Sequence, residues 1–188
     1  AAPNHRQPPR SCQATTNRPK IVVFPRNTTE AMNFVAHGLD LESGDEVLTT
    51  DHEHIGGLEP WKLVTTRQGL PLRVVSLPVP AHSATDLVDA VWSGVTERTR
   101  VLCVSHLTFT TGTILPVREL ANRCTERGIV LAVDGAHPPG MMELDLAAVG
   151  GDFYASSPHK WLLAPQGTGL LYVGEGWRER LWPTLASG

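Results

Sequence analysis

Nowhere in its 188 residues does the sequence hold an apolar run approaching the roughly 20 residues of a membrane-spanning helix, so no span is expected. A dominant charge is missing too. Charged residues make up 19% and the net charge is -3, which argues against the basic surface of a nucleic-acid binder and against an acidic tail. Cysteine is scarce: Cys12, Cys103 and Cys124 cannot all pair and form no motif, so neither a disulfide scaffold nor a cysteine-ligated zinc site is expected. Cys103 stands in the apolar run Val101-Leu102-Cys103-Val104, the setting of a buried structural thiol. No secretory pattern opens the sequence, and the expectation is a soluble, cytoplasmic protein. Repeats and low-complexity tracts are lacking as well. Residues 1–19 are polar and aperiodic, with four Pro and three Arg, and are expected to be a poorly ordered lead-in.

From Lys20 onward short apolar runs alternate with helical stretches. Strand candidates are Ile21–Phe24, Glu46–Thr50, Leu72–Leu77, Arg100–Ser105, Ile129–Val133, Asp152–Ala155 and Gly169–Val173. Helices are expected over Thr28–His37, Leu58–Thr66, Asp86–Trp92 and Val117–Arg127, the last stopped by Gly128. Such alternation predicts an α/β fold in three layers, with a mostly parallel sheet covered by helices on both faces. Ligands of such sheets gather at the carboxyl ends of the strands.

Two chemistry-bearing residues fall at such ends. In Asp152-Phe153-Tyr154-Ala155-Ser156-Ser157-Pro158-His159-Lys160-Trp161 a short apolar run meets a Ser-Ser-Pro turn, where the proline ends the strand. Lys160 is thereby presented between an imidazole and an indole. An ammonium there is partly desolvated and near another potential cation, and both effects favour the neutral amine that condenses with an aldehyde. Upstream by 26 residues, Val130-Leu131-Ala132-Val133-Asp134-Gly135-Ala136-His137 ends an apolar run on a carboxylate. A buried carboxylate needs a cationic partner, and a protonated pyridine nitrogen supplies one. A Schiff-base lysine plus a carboxylate on the ring nitrogen is the pairing that lets pyridoxal phosphate act as an electron sink.

Two further stretches bear on a cofactor. Asn27-Thr28-Thr29-Glu30 opens a helix as a capping box, and its amides and hydroxyls also suit a phosphate. Asp51-His52-Glu53-His54 invites a metal reading, and a metal-dependent hydrolase using His52, His54, His137 and Asp134 is the alternative class. It leaves Lys160 without a task, and no helical His-Glu-x-x-His supports it. No metal is expected.

With these four stretches in order, the chain resembles the large domain of the class V aminotransferases, the group of pyridoxal-phosphate enzymes that holds cysteine desulfurases and isopenicillin N epimerases. The resemblance implies the seven-stranded large domain of that fold over residues 20–176, with 177–188 beginning a connection to a missing C-terminal small domain. It implies pyridoxal 5'-phosphate as cofactor, an amino acid as substrate and a homodimer. It places the cofactor phosphate on Thr28, Thr29, Ser157 and His159, and His54 against the pyridine ring, seven residues before Trp61 as the family register requires. Asp134 falls to the ring nitrogen, His137 to the phenolic oxygen, and Lys160 to the covalent link and then to the substrate's alpha proton. The Thr-rich Ser105-His106-Leu107-Thr108-Phe109-Thr110-Thr111-Gly112 departs from the desulfurase pattern, which carries an Asn near Phe109, and looks more like the epimerase-like members. A chain without the C-terminal domain is expected to bind the cofactor weakly, to self-associate and to turn over little or not at all, or to serve as a scaffold. Trp177, Leu181, Trp182 and Leu185 form a helix-like stripe that needs a partner, unless Trp177 folds back onto the core.

Overall fold

The structure is a computed structural model and describes residues 21–186; the expected lead-in and Cys12 lie outside the described residues. In chain order the elements are β1 (Ile21–Val23), α1 (Thr28–Gly38), β2 (Glu46–Thr50), α2 (Ile55–Gln68), β3 (Leu72–Val75), α3 (Ala84–Trp92) and β4 (Thr99–Ser105). Then come α4 (Val117–Arg127), β5 (Val130–Asp134), α5 (Leu146–Val149), β6 (Phe153–Ser156), β7 (Leu170–Val173) and a 3-10 turn over Glu175–Trp177. The strands form one seven-stranded sheet in the order β1-β7-β6-β5-β4-β2-β3. β7 runs antiparallel to both β1 and β6, while the four remaining pairs are parallel.

Burial on both faces explains why the central strands β4, β5 and β6 carry apolar runs. In β4, Val101 and Cys103 join a cluster with Ala31, Met32 and Val35 of α1 and Trp61 and Val64 of α2. Leu102 and Val104 point the other way, toward Leu87 and Val91 of α3 and Leu120 and Cys124 of α4. The three-layer architecture follows. Cys103 and Cys124 are free and buried, and burial pushes the Cys124 thiol up to about 12, so both are structural thiols.

Helix starts differ from the expected ones for local reasons. α2 begins at Ile55 rather than Leu58, because the His54 side chain caps it by accepting from Gly56 N at 3.0 Å. α3 begins at Ala84, where Ser83 and Asp86 close a full capping box. In α1 the expected box is half closed. Asn27 Oδ1 accepts from Glu30 N at 2.8 Å, but the Glu30 carboxylate turns back to Arg26, taking its backbone N–H at 2.6 Å and its guanidinium at 2.9 Å. The four-residue α5 was not foreseen.

The C-terminal stripe is not a helix. Trp177 folds back onto the core, 4% exposed, with its ring 5.4 Å from that of Phe153 and its indole N–H donated to Asp152 Oδ1 at 2.6 Å. Leu181 packs on the same cluster. Trp182 donates its backbone N–H to Gly38 O and its indole N–H to Asp40 Oδ2, and Leu185 stands exposed. Pro183 disfavours helical backbone at Trp182, which breaks the pattern the spacing suggested.

Candidate active site

The carboxyl ends of β2, β4, β5 and β6 and the first turns of α1 and α2 meet on one side of the sheet. Asp134 closes β5 and pairs in register with Ala155 of β6, so the turn carrying Lys160 begins two residues beyond its neighbour. The Asp134 carboxylate is 5% exposed, and its Oδ1 accepts from Ala136 N at 3.0 Å. Its Oδ2 lies flush against α2 at Gly57, where any Cβ would collide with it. Burial raises its pKa, opposed by the Ala136 amide, Lys160 and His54. Among the described residues no cationic side chain closes an ion pair with it.

The turn after β6 is tightly held. Lys160 N donates to Ser157 O at 2.9 Å and Ala164 N to Pro158 O at 3.2 Å. Leu163, 87% exposed, sits at φ 54°, a left-handed conformation that a branched side chain adopts only under constraint. Lys160 Nζ lies 3.3 Å from His137 Nε2, and Trp161 Nε1 donates to His137 Nδ1 at 3.0 Å. The His137 pKa is lowered, by burial first and then by Lys160 and His54.

A hydroxyl-rich corner lies where α1 meets the same turn. Ser157 Oγ accepts from Thr28 N at 3.0 Å and shares a hydrogen bond of 2.8 Å with the Thr28 hydroxyl, both residues being buried. The Thr29 hydroxyl reaches the start of α2 beside Gly56. His159 donates Nδ1–H to Thr168 O at 2.9 Å, because a carbonyl only accepts. Its Nε2 can therefore donate to an anion only as an imidazolium.

The two histidines at the end of β2 part company. His54 packs edge-to-face on Phe109, ring centroids 5.0 Å apart. His52 instead lies 2.7 Å from Asp51 Oδ1, an oxygen that also accepts from Leu77 N beyond β3. Among the described residues no three of His, Cys, Asp or Glu gather as a metal-ligand set, so the four residues of the hydrolase alternative are not assembled as one.

One participant and two contacts escaped the sequence reading. Glu53 is 8% exposed, and its two oxygens accept from Ser105 Oγ at 2.6 Å and Thr50 Oγ1 at 2.7 Å. Burial pushes its pKa up to about 7, with Asp134 adding to the rise. An acid between two histidines at a strand end, with no Lys or Arg nearby, was the available signal. The Phe109 ring against His54 and the Trp161 indole on His137 left no trace in periodicity.

This fold, with a lysine and a buried acid at the ends of adjacent central strands, is that of the pyridoxal-phosphate-dependent transferases. Solved structures agree. A cysteine desulfurase from Thermococcus onnurineus NA1 superposes with a TM-score of 0.79 at 31% identity, over 89% of this chain and 41% of that one. The cystine C-S lyase C-DES, solved with its reaction product cysteine persulfide, gives 0.80 at 29% identity, over 88% and 44%. A mutant of C-DES carries glycine covalently linked to the PLP cofactor. In sequence, the chain is 42% identical over 169 residues to an isopenicillin N epimerase of Streptomyces clavuligerus, covering 90% of this chain and 42% of that protein. It is 44% identical over 156 residues to a probable cysteine desulfurase of Pseudomonas aeruginosa, covering 82% and 38%. The profile of the family described as aminotransferase class-V matches residues 13–188. The chain belongs to the class-V aminotransferase family, and it spans about two fifths of the length of the relatives it matches.

Proposed function

We propose that this chain is the cofactor-binding part of a pyridoxal-phosphate enzyme that acts at the alpha carbon of an amino acid, by epimerase-like, lyase or transaminase chemistry. One observation carries the reading: a lysine amine and a buried acid without an ion-pair partner stand at the ends of neighbouring strands β6 and β5. The cofactor is pyridoxal phosphate, and the residues present fit it. Thr28, Thr29 and Ser157 offer hydroxyls beside the N-terminus of α1, the place where backbone amides favour an anion. Asp134 offers the negative charge that a pyridinium requires, in a setting where water cannot provide the counterion.

When bound, the cofactor supplies an aldehyde for covalent capture and a ring that spreads the charge left by a departing alpha proton. The chain's residues then divide the work. Lys160 holds the covalent link at Nζ and, once displaced, takes or returns the proton at the same atom. Asp134 keeps the ring nitrogen protonated. The His54 ring, fixed by Gly56 N and by Phe109, offers a flat apolar face to a flat ligand. His137 Nε2 faces the lysine nitrogen and would also face the phenolic oxygen beside it.

Borohydride reduction in the presence of pyridoxal phosphate tests the assignment. Wild type is expected to retain the cofactor covalently on the peptide containing Lys160, and Lys160→Ala to retain none while keeping its far-ultraviolet circular dichroism. Cofactor still fixed to the Ala variant would defeat the reading. Rapid mixing of the loaded protein with a panel of amino acids then reports the substrate. A spectrum unchanged by all of them would reduce the chain to a cofactor-binding scaffold.

A further inference from the structure

The hydrogen-bond chain Trp161–His137–Lys160 has only one consistent assignment of protons. An indole Nε1–H is a donor and never an acceptor. With Trp161 Nε1 3.0 Å from His137 Nδ1, that ring nitrogen must offer its lone pair. The imidazole is then neutral, in agreement with the lowering of its pKa by burial. Its one remaining proton sits on Nε2, the atom 3.3 Å from Lys160 Nζ. An Nε2–H facing an ammonium would set two donors against each other. The contact is a hydrogen bond only when the lysine nitrogen accepts with its lone pair, in the amine form that attacks an aldehyde.

Nothing in this chain leaves the contact to chance. The loop after β5 and the turn after β6 touch at Gly140, whose φ of 89° and lack of a side chain let its backbone lie directly on the Trp161 carbonyl, where any Cβ would clash. Lys160 and Trp161 are successive residues of one held turn, so the indole and the amine approach His137 from a common frame. The rings of His137 and Trp161 lie 6.4 Å apart and tilted by 47°, which places the contact at their edges rather than their faces.

We propose that Trp161 is a positioning residue for Lys160. By donating to His137 Nδ1 it holds the histidine proton on Nε2, and so keeps His137 a donor toward the lysine amine rather than an acceptor for a lysine ammonium. This rests on the reading of Lys160 as the residue that captures the cofactor, but its first test needs no cofactor. Without the indole N–H, the ring is free to carry its proton on Nδ1 and to accept an ammonium proton at Nε2. The other ionisable groups whose charge bears on this cluster are Asp134 at the end of β5 and His54 at the start of α2. Both stay in place when Trp161 is changed, so the effect of the indole can be read against a constant background.

The experiment has two arms. In the first, the cofactor-free chain carries nitrogen-15 in its histidines, and His137→Gln identifies the His137 signals among the eight. At neutral pH wild type is expected to show a protonated Nε2 and an unprotonated Nδ1. Trp161→Phe, which keeps a flat ring and loses the donor, is expected to move both signals toward the average of two exchanging tautomers. A protonated Nδ1 in wild type, or signals that do not move in Trp161→Phe, would overturn the proposal. In the second arm a small acylating reagent titrates Lys160 against pH, read by peptide mass. Trp161→Phe is expected to slow Lys160 labelling at pH 7 about five-fold, the worth of one such hydrogen bond, and to move its pH profile upward. In a His137→Gln background, where no tautomer exists to control, the same change is expected to alter labelling less than about two-fold, within the spread of independent sites. An equal loss in both backgrounds would mean that Trp161 merely shapes the turn. Borohydride trapping of the cofactor is scored separately, so failure of the cofactor reading leaves the tautomer result standing, and the reverse.

Discussion

Two buried acids lie under the same site, and they are provided for in opposite ways. Glu53, beyond the end of β2, has a hydroxyl on each oxygen, from Ser105 and Thr50. Asp134, at the end of β5, has a backbone amide on one oxygen and a glycine pressed against the other. Burial raises the pKa of both. The hydroxyls around Glu53 satisfy it from within the protein, while the surroundings of Asp134 leave its charge to be met by something bound. A buried acid whose partners are all protein is a structural device; a buried acid whose partner must come from outside marks a ligand.

The sharpest way to break this contrast is to neutralise each acid in turn. Asp134→Asn keeps the size and loses the charge that a pyridinium needs. In the cofactor-loaded protein, alpha-proton exchange with a reactive amino acid is expected to fall about 100-fold or more, in the range seen when a group that governs proton transfer is lost, while cofactor retention falls only modestly. Glu53→Gln is expected to change exchange less than about three-fold, since nothing bound depends on its charge. Isotope exchange followed by mass spectrometry measures both. Equal losses from the two variants would mean that Glu53 shares the role given to Asp134.

The difference between the two acids also decides which was legible in the sequence. Asp134 and Lys160 stood out because each ends an apolar run at a turn, and such a place offers a charged residue few structural uses. Glu53 lies in Asp51-His52-Glu53-His54, where the order of residues says nothing of which side chains turn inward. Only the packing of β2 against β4 brings Ser105 to Glu53 and sends His52 off to Asp51. The layers and the mostly parallel sheet were legible for a related reason, since burial on both faces writes itself as apolar runs separated by amphipathic helices. Cap details were not. Glu30 could reach either Asn27 or Arg26, and an exposed arginine nearby won.

Glu53 should reveal itself in stability rather than in chemistry. Its pKa stands at about 7 in the folded chain against an ordinary 4.5, so the folded state holds this proton more tightly than the unfolded state. Its contribution is therefore fully present below the ordinary value and is lost as pH rises through about 7. Glu53→Gln removes that loss. Relative to wild type the variant is expected to gain stability between pH 4.5 and 7, up to about 3 kcal/mol, and to keep the gain above pH 7. Urea denaturation of the two proteins across that range measures the difference. A difference that stays flat with pH would show that Glu53 is ionised in the fold and that its hydroxyl partners suffice to hold the charge.

A third acid, the half-buried Asp152, gives the smallest test and extends the contrast to the far end of the sheet. Asp152 resembles Glu53 in being served by the protein, with Leu131 N on Oδ2 at 2.8 Å and the Trp177 indole on Oδ1 at 2.6 Å. Burial raises its pKa, and those two donors oppose the rise by favouring the carboxylate. Trp177→Phe keeps a ring against Phe153 and beneath Arg180 but deletes one donor. The loss of that hydrogen bond is expected to cost about 1–2 kcal/mol when Asp152 is ionised. A protonated Asp152 needs the indole less, so the deficit should shrink as pH falls and the carboxyl takes up its proton. Urea denaturation at pH 8 and at pH 4 separates the two contributions of Trp177. A deficit equal at both values would mean that Asp152 keeps one charge state in the fold across that range.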